Sequence, residues 1–320
     1  MIFYITVLRA IAAILITNAH YTNIYPIEII ANGGLLGDVI FFAVSGFCLY
    51  NIKENFIKWY SKRIIRIYPA VWIITTIFLA LGLYTLDEMN IFQFMIYPTY
   101  YHFIASIIIL YIFYYIIIKC KVLNDNIPKI MIGIFAIQLL VYIFIYDKSY
   151  YHIDVVREPM IRFLFLESML LGALFRKRIY DNKKNNNKML NWIMLVILIV
   201  LYFASKLCFA KNILVQYQII NQIILFALLY FIFRVFEGID SKLEKLPTKI
   251  KNVITFIAQI TLEIYLVQYK IIPLFRDLIF PINWFVITAM IIVSAYLLHI
   301  VTNIIVKFIS KALGEKVWKH

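Results

Sequence analysis

The first apolar stretch, Ile2 to Ala19, carries a single cation, Arg9, and runs straight into His20. On a helix the eleven-position separation of Arg9 and His20 amounts to about 16 Å along the axis and about 20° around it, so both share one face. A histidine titrates near neutrality, which suits it to act as a general base or as a nucleophile. An arginine inside a membrane helix costs roughly 3 kcal/mol or more, so it marks function unless it snorkels to the headgroups. Asp38 opens the second apolar stretch at a depth similar to His20. A carboxylate beside a histidine orients the ring and raises its basicity. The competing reading is an unrelated pair, with Asp38 at a helix start.

Further along come Ser45 and Gly46, then Arg63 and Arg66 three positions apart. Glycine permits close helix packing or close approach of a ligand, and packing is the commoner use. Serine followed by glycine has neither the G-x-S-x-G pattern nor the strand of a nucleophile elbow. If helical, Arg63 and Arg66 project from one face, and paired guanidinium forks suit phosphates or a pyrophosphate. A lipid-headgroup anchor is the plainer alternative. Glu263 lies inside a late apolar stretch, either lining a site or paired with a buried cation. Glu167 and Arg162 are read as a structural or interfacial pair. His152 and His299 have no motif around them and are read as packing or interfacial residues. Tyr97, Tyr100 and Tyr101 are candidates for stacking on a sugar.

These residues need elements to hold them. Apolar residues make up 64% of the chain and charged residues 15%, a balance that excludes a soluble globule. The long apolar runs do not alternate with polar residues, which excludes a β-barrel. The expected fold is therefore all-α: a polytopic transmembrane helical bundle in one domain, residues 1–320. About ten spans are expected, at 2–20, 34–51, 66–86, 101–118, 128–146, 159–175, 189–207, 213–233, 253–272 and 284–306. With the N-terminus in the cytoplasm, the great majority of the 31 lysines and arginines fall in cytoplasmic connections. That asymmetry predicts an N-in, C-in topology. The net charge of +14 then reflects basic cytoplasmic loops touching membrane lipid, and no nucleic-acid partner is expected. The first stretch, without a basic n-region or small-residue cleavage site, reads as a retained span. Cys48, Cys120 and Cys208 have no metal-ligand spacing and read as small packing residues without disulfides, and no metal is expected. The polar run Asp181 to Lys188 reads as a linker.

Three motifs occur in order: Arg9 with His20, Phe41-Phe42-Ala43-Val44-Ser45-Gly46-Phe47, and Arg63-Ile64-Ile65-Arg66-Ile67-Tyr68-Pro69. In order and spacing they resemble acyltransferase family 3, bacterial integral-membrane O-acyltransferases that modify cell-surface glycans. Tyr101-His102-Phe103-Ile104-Ala105 resembles the family's segment with a Trp-Phe-Leu core, and Leu262-Glu263-Ile264-Tyr265-Leu266-Val267-Gln268 its late Tyr-Leu-Val-His segment. His102 replaces the family's frequent Trp, and Gln268 its frequent His. Glutamine can still hydrogen-bond a ligand at that position.

The resemblance implies a donor, acyl-CoA with acetyl-CoA as the default, and an acceptor, a glycan or glycolipid at the bacterial cytoplasmic membrane. It implies that His20 acts as base, or carries the acetyl group as a nucleophile, with Asp38 orienting it. Arg9 would hold the helix geometry or contact the donor. Arg63 and Arg66 would take the nucleotide phosphates, with Ser45 and Gly46 also on the donor side, and Glu263 and Gln268 would line the substrate site. Two readings compete with the enzyme. One is a transporter or flippase that uses the same intramembrane charges to line a path, and the other is a non-catalytic scaffold, which Gln268 keeps open.

Overall fold

The structure, a computed structural model, describes residues 2–87, 90–180 and 187–313. Among the described residues every regular element is helical: α1 (Phe3–Ala19), α2 (Gly34–Leu49), α3 (Phe56–Ala80), α4 (Ile91–Met95), α5 (His102–Lys119), α6 (Lys121–Asp125), α7 (Ile127–Phe144), α8 (Ile161–Tyr180), α9 (Lys188–Ala210), α10 (Ile219–Leu243), α11 (Thr248–Gln259), α12 (Thr261–Leu274) and α13 (Ile282–Ala312). In hydrocarbon a helix satisfies its own backbone groups, and long apolar runs poor in glycine and proline take that form. Among the described residues seven helices are long and apolar enough to cross a membrane: α2 with the short turn before it, α3, α5, α7, α9, α10 and α13. The pair α11 and α12 would make an eighth, bent by 67°. α1 is shorter, and α8 is loaded with Arg162, Glu167, Arg176, Lys177 and Arg178. Most of the linker read at 181–188 lies outside the described residues.

Several boundaries differ from the expected spans; α10 and α13, for example, run on to Leu243 and Ala312, past the expected 233 and 306. α3 starts ten residues before the expected Arg66, because the Asn55 side chain caps it by accepting from the Lys58 amide at 3.0 Å. It stops at Ala80, where Gly82 adopts a φ of +68° that suits a glycine beyond a helix end. α10 starts at Ile219 and not at 213, since Leu214 turns left-handed with φ +54°. The expected span 253–272 is broken at Ile260. There the Thr261 hydroxyl donates toward the carbonyls of Ile257 and Ala258, at 3.1 and 3.0 Å, so the break satisfies the carbonyls it frees.

The chain forms two compact units. The first comprises Met1–Ala12, Leu35–Lys53 and Ile109–Asn252. In it α9 packs on α10, and α8 on α7 and α10. A Cβ on Gly46 would collide with the Met169 backbone, and one on Gly172 with the Ala43 carbonyl and the Phe47 amide. α2 and α8 therefore touch backbone to backbone, and Phe42 stacks on Phe165 with centroids 4.2 Å apart. The second unit comprises Ala13–Gly34, Glu54–Ile108 and Val253–His320. Its frame is α3, α12 and α13, each packed on the other two.

The candidate functional site

His20 is the residue just beyond α1, and the loop after it is pinned within the second unit. Asn18 donates to the carbonyls of Ile30 and Asn32 at 2.7 and 3.0 Å and accepts from Tyr25 at 2.8 Å. Trp284, at the start of α13, donates to the Tyr25 hydroxyl at 3.0 Å, and the Tyr21 hydroxyl bonds Thr288 at 2.8 Å. These bonds fix the chain on both sides of His20. Its imidazole lies against Tyr269 of α12, centroids 5.1 Å apart.

Tyr269 is the centre of an aromatic group. Its hydroxyl donates to Tyr265 at 2.9 Å, and the Tyr265 hydroxyl accepts from the Phe103 amide at 3.3 Å. Tyr100 and Tyr101 pack edge-on against Tyr269, and the hydroxyls of Tyr84 and Tyr101 share a 2.9 Å hydrogen bond. The Lys270 ammonium sits 4.5 Å above the Tyr84 ring. Tyr101 is fully buried, so the sugar-stacking role expected of it is not available to its covered faces. His102, one residue on, begins α5.

The other polar groups of this unit lie on the same helices. Gln268 of α12 is fully buried, and among the described residues neither atom of its amide has a hydrogen-bond partner. Glu263, at the start of α12, is buried, and its Oε1 lies 2.8 Å from His299 Nδ1. His299 Nε2 lies 2.8 Å from Asn303 Nδ2. An amide nitrogen can only donate, so Nε2 accepts, the ring proton sits on Nδ1, and His299 donates to the Glu263 carboxylate. This corrects the reading of His299 as a packing residue and supplies the partner left open for Glu263. Among the described residues Glu263 Oε2 has no partner, and neither does the buried Thr302 hydroxyl on α13. The sequence signal for this trio was the intramembrane carboxylate alone; nothing in the spacing named a partner on another helix.

Arg63 and Arg66 both lie on α3, as the three-residue spacing requires for a shared face. The Arg63 guanidinium lies 5.2 Å over the Trp59 ring, and Arg66 is exposed. Lys62 beside them pairs with Glu54.

The remaining predicted residues belong to the first unit. Arg9, within α1, donates to the Cys48 sulfur at 3.7 Å. Asp38 is buried on α2, and among the described residues its carboxylate makes no hydrogen bond. Ser45 is half-buried, and Gly46 is where α8 comes closest to α2, with its carbonyl accepting from Tyr114 at 2.6 Å. Glu167 is buried and forms no ion pair with Arg162 among the described residues. Five positions on a helix set two side chains about 140° apart, which defeats that expected pair. The three cysteines are free, as read, but exposed and not packed in the core.

The second unit thus carries a pinned histidine, an unpartnered buried amide, a hydrogen-bonded carboxylate–imidazole pair and two arginines. Among the described residues no group of three or more His, Cys, Asp or Glu side chains is arranged to hold a metal. Neither a curated protein nor a solved structure matches the chain. The family model described as an acyltransferase domain, acyltransferase 3, matches residues 2–303, nearly the whole chain. This membrane-spanning helical protein therefore belongs to the acyltransferase 3 family.

Proposed function

We propose that the protein is a membrane O-acyltransferase that moves an acyl group, acetyl by default, from cytoplasmic acyl-CoA to a hydroxyl of a cell-surface polysaccharide or glycolipid. His20 is its general base. One observation carries the reading. The His20 ring packs on Tyr269, and the residue before Tyr269 is Gln268, buried with neither amide atom paired. His20 thus touches one residue of α12, and the residue before it carries the unpartnered amide.

An acyl-CoA fits these residues. Its pantetheine arm carries secondary amides, which pair donor to acceptor with a primary amide such as Gln268. Glu263 Oε2 can accept a further N–H or O–H. The guanidinium groups of Arg63 and Arg66 suit the nucleotide phosphates. His20 takes the proton of the acceptor hydroxyl as that oxygen attacks the thioester carbonyl. The ester C–O bond forms, the C–S bond breaks, and the imidazolium returns its proton to the departing thiolate. The alternative route passes the acetyl group through an imidazole nitrogen of His20.

For Arg9 and Asp38 the expected roles in donor contact and in tuning the base stand as proposals, as does a donor-side role for Ser45 and Gly46. An Asp38→Asn variant with an intact rate and pH–rate profile would remove Asp38 from the mechanism. The distribution of lysine and arginine supports an N-in, C-in arrangement of about ten spans, and the family resemblance supports a bacterial cytoplasmic membrane.

The decisive test follows radiolabelled acetyl from acetyl-CoA in membranes holding wild type or His20→Ala at matched levels. Label in glycan or glycolipid that disappears with His20→Ala is the expected result. Label trapped on wild-type protein alone supports the acetyl-histidine route. No His20-dependent transfer with the native acceptor supplied overturns the enzyme reading in favour of a carrier or scaffold.

A further inference from the structure

Around the circumference of α11, Ile250, Val253, Ile254 and Ile257 fall within about 100° of one another. Asn252, Thr255 and Gln259 form the opposite side. Lys249 and Lys251 stand about 100° to either side of Ile250, at the borders between the two. A helix that is apolar on one side, polar on the other and basic at the borders suits a membrane–water boundary. Inside hydrocarbon its polar side would have no solvent.

The apolar side is not consumed by packing. Ile250 and Val253 are 47% and 62% exposed, and Ile254 and Ile257 are half-buried. The helix is held through other positions: the Phe256 ring lies 5.5 Å from that of Tyr296 on α13, and Ala258 is buried. Asn252 and Gln259 are exposed as well. An apolar and a polar surface are therefore both open, and each calls for a different solvent.

The lengths of the two helices agree with that placement. α12 has 14 residues, a rise of about 21 Å, which falls short of the ~30 Å of hydrocarbon. A helix lying in the interface sits about 5–10 Å into the boundary between headgroups and chains. With the corner at Ile260 at that depth, roughly 20–25 Å of hydrocarbon remain, which α12 covers. The bend of 67° sets α11 closer to the membrane plane than to its normal when α12 stands upright.

Charge selects the lipid. Lys242 and Lys245 precede α11 in the chain, and Glu244 is the sole acid from 241 to 260. The Lys251 ammonium donates to the Glu244 carbonyl at 3.2 Å and has further N–H groups for a phosphate. Lysines concentrated in this way favour an anionic surface over a zwitterionic one. We propose that α11 is an interfacial helix and not half of a span, its apolar side in the acyl chains and its lysines on anionic lipid headgroups. Its assignment to the cytoplasmic leaflet rests on the proposed N-in arrangement, whereas its geometry does not.

The test is spin-label accessibility on the full chain in nanodiscs, which leave both membrane faces open. With Cys48, Cys120 and Cys208 replaced by serine, one label at a time is placed through Asn252→Cys, Val253→Cys, Ile257→Cys or Gln259→Cys. Labels at 252 and 259 should be reached by a water-soluble nickel chelate, and labels at 253 and 257 by oxygen from the chains. Nickel access that falls steadily from 252 to 259 marks an ordinary half-span and overturns the proposal. Adding phosphatidylglycerol to phosphatidylcholine discs should further shield 253. The phosphatidylglycerol fraction needed for half that shift should rise about fivefold or more in Lys249→Gln with Lys251→Gln, since one lysine near an anionic surface contributes roughly that factor. Shielding that ignores lipid charge overturns the anionic partner, and shielding seen only when two copies share a disc places a second copy on the stripe instead. The readout needs no turnover, so its failure leaves the acyltransferase reading standing, and a failed transfer assay leaves this placement standing.

Discussion

Gln268 offers the sharpest test at the level of single residues, because its two possible meanings have opposite signs. A buried amide with neither atom paired weakens the fold, so replacing it with the apolar, similarly sized Met should leave the thermal midpoint unchanged or raise it. If the amide binds the donor, the same Gln268→Met variant should raise the KM for acetyl-CoA by about tenfold, the worth of one lost hydrogen bond of about 1.4 kcal/mol. Stability measured by thermal unfolding and KM measured by transfer separate the two. A variant that is less stable and kinetically normal would show a packing residue. Glu263 behaves differently. Its carboxylate is bonded to His299, so His299→Leu strands a buried charge and should destabilise by roughly 3 kcal/mol or more, read as a lower unfolding midpoint. Glu263→Gln with His299→Leu should recover part of that loss, because no charge is then left unpaired.

Between elements, the contact of α2 with α8 depends on two glycines that face each other's backbone. Gly46→Ala or Gly172→Ala forces a methyl into a carbonyl and should cost about 3 kcal/mol or more, seen as loss of monodisperse protein in detergent. The break between α11 and α12 depends on a different device. Thr261→Val keeps the shape but removes the hydroxyl that takes up the Ile257 and Ala258 carbonyls, and should lower stability by about 1 kcal/mol. Much of this scale was legible in the sequence. Runs of apolar residues place α2, α5, α7 and α9 to within about three positions, because length and composition largely determine a membrane helix. The break at Ile260 was not legible. Val253 to Ile260 carries no charge and no proline or glycine to mark a break, and the bend is accompanied by a single threonine whose bonding follows from the fold. The same holds for α3. Its helical continuation through Arg63 and Arg66 depends on one capping asparagine, a weak signal beside the basic residues around it.

For the whole molecule, the front motifs pointed to the family that residues 2–303 match, whereas the partners of the late residues stayed hidden. Arg9, His20, Arg63 and Arg66 are legible because the types and spacing are local. Glu263 with His299 joins residues far apart in the chain, and one sequence does not record that pairing. The proposed topology makes a prediction on this scale. With the exposed Cys48, Cys120 and Cys208 replaced by serine, membrane-impermeant thiol reagents applied to intact cells should modify a cysteine placed at Asn212, and should modify one placed at Asn126 only after permeabilisation. Equal modification of both from outside would overturn the N-in arrangement.

The His299 imidazole is in effect a label already installed. Asn303 holds one ring nitrogen bare and Glu263 holds the other protonated, so the two nitrogens differ widely in 15N chemical shift before anything binds. Glu263 Oε2 is the open end of that chain. Any molecule that donates a hydrogen bond to it withdraws charge from the carboxylate and loosens its hold on the Nδ1 proton. Occupancy deep inside the bundle can therefore be watched as a shift of one nitrogen resonance, with no probe attached and no turnover required.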